Sequence, residues 1–577
     1  MLARAEHLLE TAKEPATVSE ALVEILAELG VRHAYGVSGG AMAALWHALS
    51  NGRLALCHFR HESGAAFAAV EAHFASDRPV VVFTTTGPGL TNALTGLLSA
   101  RSDGAKIIVL SAATTAAQRG RFAIQETCSR TMPADLYAAG ALFHDATLIE
   151  SADQLPSVAR RLAQGLARPG GFVAHVAIPT GLQSAAWRGP LPDLSVARGD
   201  YAPTAETIVR SVELLSEGPF AIWLGFGARK SPDLVRLLAE RTGAAVMCSP
   251  RAKGVFPEAH PQFVGVTGLG GHASVLAYMT ETRPRRVLVL GTRLGEGTSF
   301  WSQAMVPPDG FIHVDVDPDV PGVAYPSAPT FAVCADVRGY LDALLAHLPQ
   351  RSPAPVRLPH PERLPLGPDA AGAVRPEALM AAIQEYVVDR HEAIVLAESG
   401  NSFIWASHCL RFDRPGRYRL STRAGSMGHA GAGVVGAAEA SGGKAVAIVG
   451  DGAMLMNNEI NTAVKLDVPA VWIVLNDARY NMCEQGMAAL GLSADARIPE
   501  VDFAMLACAL GASGLRVDRE AELAPALARA MAATGPFVLD VRIDPTRPAP
   551  SQGRNRALRA QIDDAAKHRQ VSFPHTA

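Results

Sequence analysis

The chain has 577 residues, 49% of them hydrophobic and 19% charged, and a formal net charge of −3. Such a length exceeds what one hydrophobic core holds and implies three or four domains, while the composition excludes an intrinsically disordered protein. The near-neutral charge argues against nucleic acid or an anionic membrane surface as the main partner, and no apolar run approaches a membrane span.

Seven cysteines are scattered without Cys-x-x-Cys pairs, which implies a reducing compartment and no structural zinc. The stretch from Met1 to Pro15 mixes charges among its leucines and has no apolar core before a cleavage site, so the expectation is a cytoplasmic protein without a secretion signal.

In chain order, apolar residues recur at helical spacing from Thr17 to Gly30, and strands follow at Val31 to Val37, Leu54 to Phe59, Pro79 to Thr85 and Ile107 to Leu110. Gly170 to Pro179 closes this first unit. Ser184 to Pro203 reads as a linker, and a second alternation follows with strands at Phe220 to Leu224, Ala244 to Cys248, Arg286 to Leu290 and Phe311 to Val316. A second linker, from Pro349 to Gly372, holds seven prolines, too many for a packed element. Beyond it come strands at Ile394 to Ala397, Lys444 to Val449, Ala470 to Leu475 and Phe537 to Ile543. Strands alternating with helices mean parallel, doubly wound sheets with their loops gathered at the carboxyl edge.

Two of the last strands carry chemistry. One ends on Gly450-Asp451-Gly452, read as a turn that lets backbone pass close to a ligand, and the next on Asn476-Asp477, so parallel neighbours present oxygen ligands at one edge. Mg²⁺ takes octahedral oxygen ligands and is usually shared with phosphates; Asp451, Asp477 and the backbone carbonyl near Arg479 are the metal candidates. The loop Glu398-Ser399-Gly400-Asn401-Ser402 precedes a helix and offers backbone N–H groups to phosphate oxygens.

These motifs, with Arg60-His61-Glu62-x-x-Ala-Ala, Thr86-Gly87-Pro88-Gly89-x-x-Asn92, Ala123-Ile124-Gln125-Glu126 and the run from Lys253 to Pro261, resemble the thiamine diphosphate enzymes of the acetolactate synthase-like family. The likeness runs from about Thr17 to Pro548, and the spacing of 26 residues from Asp451 to Asp477 fits it, with Asp477 standing where the family has a second Asn. It implies an α/β fold of three doubly wound parallel-sheet domains: a pyrimidine-binding domain over 1–185, a central domain over 200–350 and a diphosphate- and metal-binding domain over 373–548, with a tail over 549–577.

Thiamine diphosphate and Mg²⁺ are the implied cofactors. Glu62 is then the carboxyl that hydrogen-bonds the pyrimidine ring and activates the cofactor, and Gln125 is a second catalytic residue. Gly39, Gly87, Asn92, Gly400, Asn401, Ser402, Gly425, Met427, Gly450, Asp451, Gly452 and Ala453 are the implied cofactor contacts, Met427 holding the cofactor bent. His429 stands where the family pattern has an aromatic, which leaves a substrate role open beside the default reading of a turn histidine. Some family members bind FAD in the central domain; here Arg293-Leu294-Gly295-Glu296-Gly297-Thr298 lacks their acidic pair and second arginine, so FAD is doubtful, with Arg293 and Gly225-Phe226-Gly227 as its candidate contacts.

The implied reaction is a carboligation: a 2-oxo acid, pyruvate by default, loses CO₂ and its acyl unit passes to a second carbonyl, giving an acyloin or a 2-hydroxy-3-oxo acid. The alternatives are a non-oxidative decarboxylase releasing an aldehyde, a non-catalytic cofactor-binding subunit and, from Gly431-x-Gly433-x-x-Gly436, an NAD(P)-dependent oxidoreductase. Small molecules are the expected partners, and assembly is expected as a homodimer or dimer of dimers because Glu62 and Asp451 come from different subunits in the resembled family. Gly486 stands where biosynthetic members have Trp and Ile124 where they have Phe, which points to a substrate larger than pyruvate unless Met487 or the C-terminal tail fills the space.

Overall fold

The computed structural model describes residues 15–196, 201–349, 357–362, 364–367, 372–550 and 553–560. The expectation about a signal segment therefore falls almost wholly outside the described residues, as do parts of both linkers and the tail beyond 560.

The first helix, Val18–Glu28, begins where sequence reading places it: the Thr17 hydroxyl accepts from the Glu20 amide and the Glu20 carboxylate returns to the Thr17 amide. Strands β1 (His33–Gly36), β2 (Ala55–His58), β3 (Val80–Thr84), β4 (Lys106–Ala113), β5 (Asp145–Leu148) and β6 (Phe172–Pro179) form the first sheet. Its spatial order is β2-β1-β3-β4-β6-β5, all parallel. The second sheet holds β7 (Phe220–Leu224), β8 (Ala245–Cys248), β9 (Phe263–Val266), β10 (Arg286–Leu290), β11 (Phe311–Asp315) and β12 (Thr330–Cys334), in the order β12-β11-β10-β7-β8-β9. The third holds β13 (Ile394–Ala397), β14 (Tyr418–Arg419), β15 (Ala445–Gly450), β16 (Ala470–Asn476), β17 (Ser513–Val517) and β18 (Phe537–Arg542), in the order β14-β13-β15-β16-β18-β17.

The first and third sheets thus share one winding, and the second has the order common in dinucleotide-binding folds. Their central strands are buried on both faces: β3, β4, β6 and β16 contain almost no exposed residue, which is why they read as continuous apolar runs.

The first and third domains meet through two helices, α1 (Glu62–Ser76) and α2 (His429–Ser441). Gly433 and Gly436 make that approach: a Cβ on Gly436 would lie 2.0 Å from the Ala68 carbonyl oxygen, and one on Gly433 2.8 Å from the Glu71 Cγ. The Gly-x-Gly-x-x-Gly run therefore lies inside a buried helix and serves helix packing, not a phosphate-binding turn at a strand end.

Candidate active site at the carboxyl edge of the third sheet

Parallel pairing sets the geometry. Gly450 is in register with Leu475, so Asp451 and Asp477 leave β15 and β16 side by side, and β13 releases the loop 398–402 next to them. The turn expected at Gly450-Asp451-Gly452 is instead a strand running straight into helix α3 (Asp451–Met456), with Gly450 in extended backbone. Glycine is required at 452, where a Cβ would come within 2.6 Å of the Tyr480 ring and 3.4 Å of the Met427 methyl. Asp451 and Ala453 are both buried at the start of this helix.

Asp451 accepts from its neighbour's amide with Oδ1, whereas Oδ2 is buried with no hydrogen-bond partner. Burial pushes its carboxyl up. The Asp477 carboxyl is pushed up to about 7 by burial and by Asp451, although Asn481 donates to it at 2.6 Å. Two desolvated carboxyls that repel one another, one with an orphaned oxygen, are the donor set a divalent cation would relieve. Among the described residues no group of three His, Cys, Asp or Glu side chains is placed to hold a metal ion, so a cation here needs backbone and phosphate oxygens to complete its shell. The Arg479 side chain pairs with Glu484, which leaves only its backbone for the role foreseen.

The phosphate loop is equally specific. Gly400 has φ 126° and ψ −159°, a conformation open only to glycine, at the entry to helix α4 (Asn401–Cys409). Ser402 donates to the Glu398 carbonyl, Asn401 donates to Gln485 at 3.3 Å, and the Asn401 Oδ1 is buried without a partner. Gly425, with φ 58°, faces Ser399 across this loop. These residues fit the diphosphate end of the expected cofactor: a glycine-only turn at the start of a helix, where backbone N–H groups can meet phosphate oxygens.

Sequence reading missed the residue that braces this end. Glu398 is buried, and its two oxygens accept from the amides of Ser399, Ala430 and Gly431, tying the loop to the start of α2; burial pushes its carboxyl up. His429 is also no exposed turn histidine. It is 4% exposed, 2.8 Å from Glu71, and forms with Arg419 a buried triad joining the first and third domains. Lys253 likewise proves to be half of a buried ion pair, 2.7 Å from Glu258.

In the first domain Glu62 opens α1 and is 8% exposed. Asn92 donates to it at 3.1 Å, and a Cβ on Gly89 would lie 3.1 Å from its Oε1. Gly87, at φ 41°, starts helix α5 (Pro88–Asp103), and its amide donates to Thr127. Gly39 abuts Thr85, where a Cβ would sit 2.6 Å from Oγ1. Gln125 accepts from Thr86 at 3.0 Å with a positive φ of 53°. The structure thus groups Glu62, Asn92, Gly87, Gly39 and Gln125 at the carboxyl edge of the first sheet, and the diphosphate and metal candidates at that of the third. It shows no contact between Glu62 and Asp451.

Residues considered for FAD are engaged within the protein. Gly225, Gly227 and Gly291 pack on one another where the second sheet switches direction: a Cβ on Gly225 would fall 2.1 Å from the Gly291 carbonyl oxygen. Arg293 donates to Ser102 at 2.8 Å. An open cleft lined by Arg210, Arg286, Asp309 and Phe311 lies at the amino ends of β10 and β11, opposite the edge where chemistry is expected.

Comparison with known proteins agrees with this architecture. Residues 16–133 match the N-terminal TPP binding domain of thiamine pyrophosphate enzymes, 214–344 their central domain and 398–541 their C-terminal TPP binding domain. The chain is therefore a thiamine diphosphate-dependent enzyme. A putative acetolactate synthase large subunit of Mycobacterium tuberculosis is 29% identical over 566 residues, covering 94% of this chain and all of that protein. The acetolactate synthase isozyme 1 large subunit of Escherichia coli is 26% identical, covering 92% of this chain and 94% of its own. A putative thiamine pyrophosphate-containing protein of Bacillus subtilis is 26% identical with 93% coverage of both. Within its class the chain belongs to the acetolactate synthase-like family and is a carboligase of that type.

Proposed function

We propose that this carboligase decarboxylates a 2-oxo acid, pyruvate by default, and transfers the acyl unit to a second carbonyl, giving an acyloin or a 2-hydroxy-3-oxo acid. The observation that carries the reading is the orphaned, desolvated Asp451 oxygen beside Asp477 and the glycine-only loop at 400, a half-built site that a cation-bound diphosphate completes.

Thiamine diphosphate supplies the nucleophilic carbon and the electron sink for decarboxylation. Asp451, Asp477 and the Arg479 backbone would hold Mg²⁺, and Asn401 with the amides of 400–402 would hold the phosphates. Glu62, kept in place by Asn92, would exchange a proton at the pyrimidine ring nitrogen. Met427, packed over Gly452, would fix the bend between the two ends of the cofactor. Gln125 would face the substrates. An aldehyde-releasing decarboxylase is the second reading, and the acetolactate synthase-like relatives favour carboligation.

A homodimer, or a dimer of dimers, supports this chemistry best. Phe122 is 98% and Ile124 93% exposed beside Gln125, while Leu455, Met456 and Tyr480 are exposed beside the metal end, so each half-site carries an uncovered apolar rim that a second copy would bury. Mass spectrometry of products from pyruvate, alone and with added carbonyl acceptors, tests the reaction: a ligated product is expected, and free aldehyde alone would favour the second reading. Light scattering at assay concentration should give at least a dimer, and an active monomer would overturn the assembly.

A further inference from the structure

Helix α6 (Asn481–Ala489) rises directly from the metal end and has two neighbouring working faces. On one, Asn481 donates to Asp477 and Gln485 accepts from Asn401, so this face looks onto the cofactor candidates. One residue on, a turn of about 100° away, are Met482 and Gly486. Gly486 is buried and has no side chain, and a guanidinium packs against its bare face: a Cβ there would lie 3.1 Å from both Arg554 Nη atoms.

That arginine arrives from the far end of the chain. Residues 545–549 cross α6, with the Pro545 carbonyl accepting from Asn481 and the Ala549 amide donating to Gln485. The helical segment 553–560 then lies over α6: Arg559 donates to the Ala489 carbonyl, and Gly553 meets the Phe300 ring of the central domain so closely that a Cβ would sit 2.7 Å from it.

Arg554 has one hydrogen bond, to the Met482 carbonyl at 3.4 Å, and no ion pair with any described residue. A guanidinium carries five donors in a planar fork matched to a carboxylate, and here nearly all of them are unused by the protein.

We propose that Arg554, brought over the third-sheet site by the C-terminal segment, is a specificity-determining residue that binds the carboxylate of the second substrate. It selects carboxylate-bearing acceptors, such as 2-oxo acids, over neutral aldehydes of equal length. The space above Gly486 is thereby a cationic subsite and not an apolar one. This inference rests on the carboligation reading and adds to it the charge class of the acceptor.

The test is a competition on the full-length holoenzyme with pyruvate as donor and an equimolar mixture of 2-oxobutanoate and propanal as acceptors, products being resolved by mass spectrometry. The wild type should favour the carboxylate-bearing product. Arg554→Gln should lower that preference by about tenfold or more, the size expected when one charge-assisted hydrogen-bonded pair is lost, and Arg554→Lys should restore part of it. Because a misplaced segment would also disturb activity, Gly486→Leu serves as an independent variant that displaces the guanidinium from the other side and should shift the preference the same way. Ligated products whose ratio is unchanged in Arg554→Gln and Gly486→Leu overturn this inference alone. Absence of any ligated product from the wild type overturns the carboligation reading, and this inference falls with it.

Discussion

Glu62 gains its setting from a residue almost four hundred positions away. The Glu459 carboxylate accepts from the amides of Arg60 and His61, at 3.0 and 3.1 Å, and from the Thr462 hydroxyl, and it is 5% exposed. Glu459 itself has a φ of 49°, and a Cβ on Gly64 would lie 2.3 Å from its Oε1. A strained, buried glutamate from the third domain thus pins the turn that delivers Glu62. Glu459→Ala strands two amide donors, which costs about 1–3 kcal/mol for each group left unsatisfied; urea unfolding should show that loss, together with reduced turnover. Under the proposed role Glu62→Gln should behave differently, because an amide would still contact the pyrimidine but would not exchange its proton. Turnover should fall by at least about a hundredfold while calorimetry still shows thiamine diphosphate binding, and full activity would mean the activating carboxyl lies elsewhere. The sequence made Glu62, Asp451 and the 400–402 loop legible because each belongs to a short local motif at a strand end. Glu459 has no such signal, and Glu398, although it opens the loop motif, gives no sign of its bracing role, since the Arg60, His61, Ala430 and Gly431 amides that these two carboxylates accept from are set by the packing of distant segments.

Elements were legible in proportion to their burial. Central strands of all three sheets emerge as apolar runs, whereas five strands escape sequence reading: β5, β9, β12, β14 and β17, every one at a sheet edge. Three of these five explain themselves. β5 and β17 are mostly half-buried or exposed, and β14 is two residues long, so neither alternation nor a continuous apolar stretch marks them. Yet β14 carries Arg419, which pairs with Glu71 of α1 at 2.8 Å and lies 3.9 Å over the Phe74 ring. Burial would raise the Glu71 carboxyl, but Arg419 and His429 outweigh it and hold it well below the usual carboxylate range. Removing the carboxylate leaves the Arg419 guanidinium uncompensated in a site with 1–5% side-chain exposure, while His429 loses the partner that favours its charged form, so Glu71→Ala should cost about 3–5 kcal/mol. The double variant Glu71→Leu with Arg419→Met should recover much of that loss, since an apolar pair removes the uncompensated charge. Chemical unfolding of the three proteins checks the order; a Glu71→Ala variant as stable as the wild type would show that the triad does not hold the first and third domains together.

Across the whole molecule, buried histidines tie stability to pH. His73, His175 and His313 are at most 3% exposed and sit one in each of the first two sheets' cores and one at the end of α1. Burial lowers each to about 4. Hydrogen bonds suit the neutral ring at His175 and His313. His175 faces the Leu136 carbonyl with Nδ1, which must donate, and the Ser111 hydroxyl with Nε2, which accepts; His313 donates from Nε2 to the Thr292 carbonyl and accepts the Gly322 amide at Nδ1. The unfolded chain takes up a proton at each near pH 6.5, which the native state refuses until about 4. Stability from these groups is therefore complete above about 6.5 and is lost as pH falls through that window. Buried carboxyls raised by desolvation, Glu258 and Glu398 among them, act in the opposite sense, so the net curve of the wild type mixes both. A difference measurement separates them. In His175→Gln neither state has that proton to bind, so between pH 6 and 4.5 the wild type should lose about 1.4 kcal/mol per pH unit more than the variant, the slope of one proton. Urea unfolding at a series of pH values reads the two slopes, and parallel curves would show that His175 is protonated in the native state as readily as in the unfolded chain.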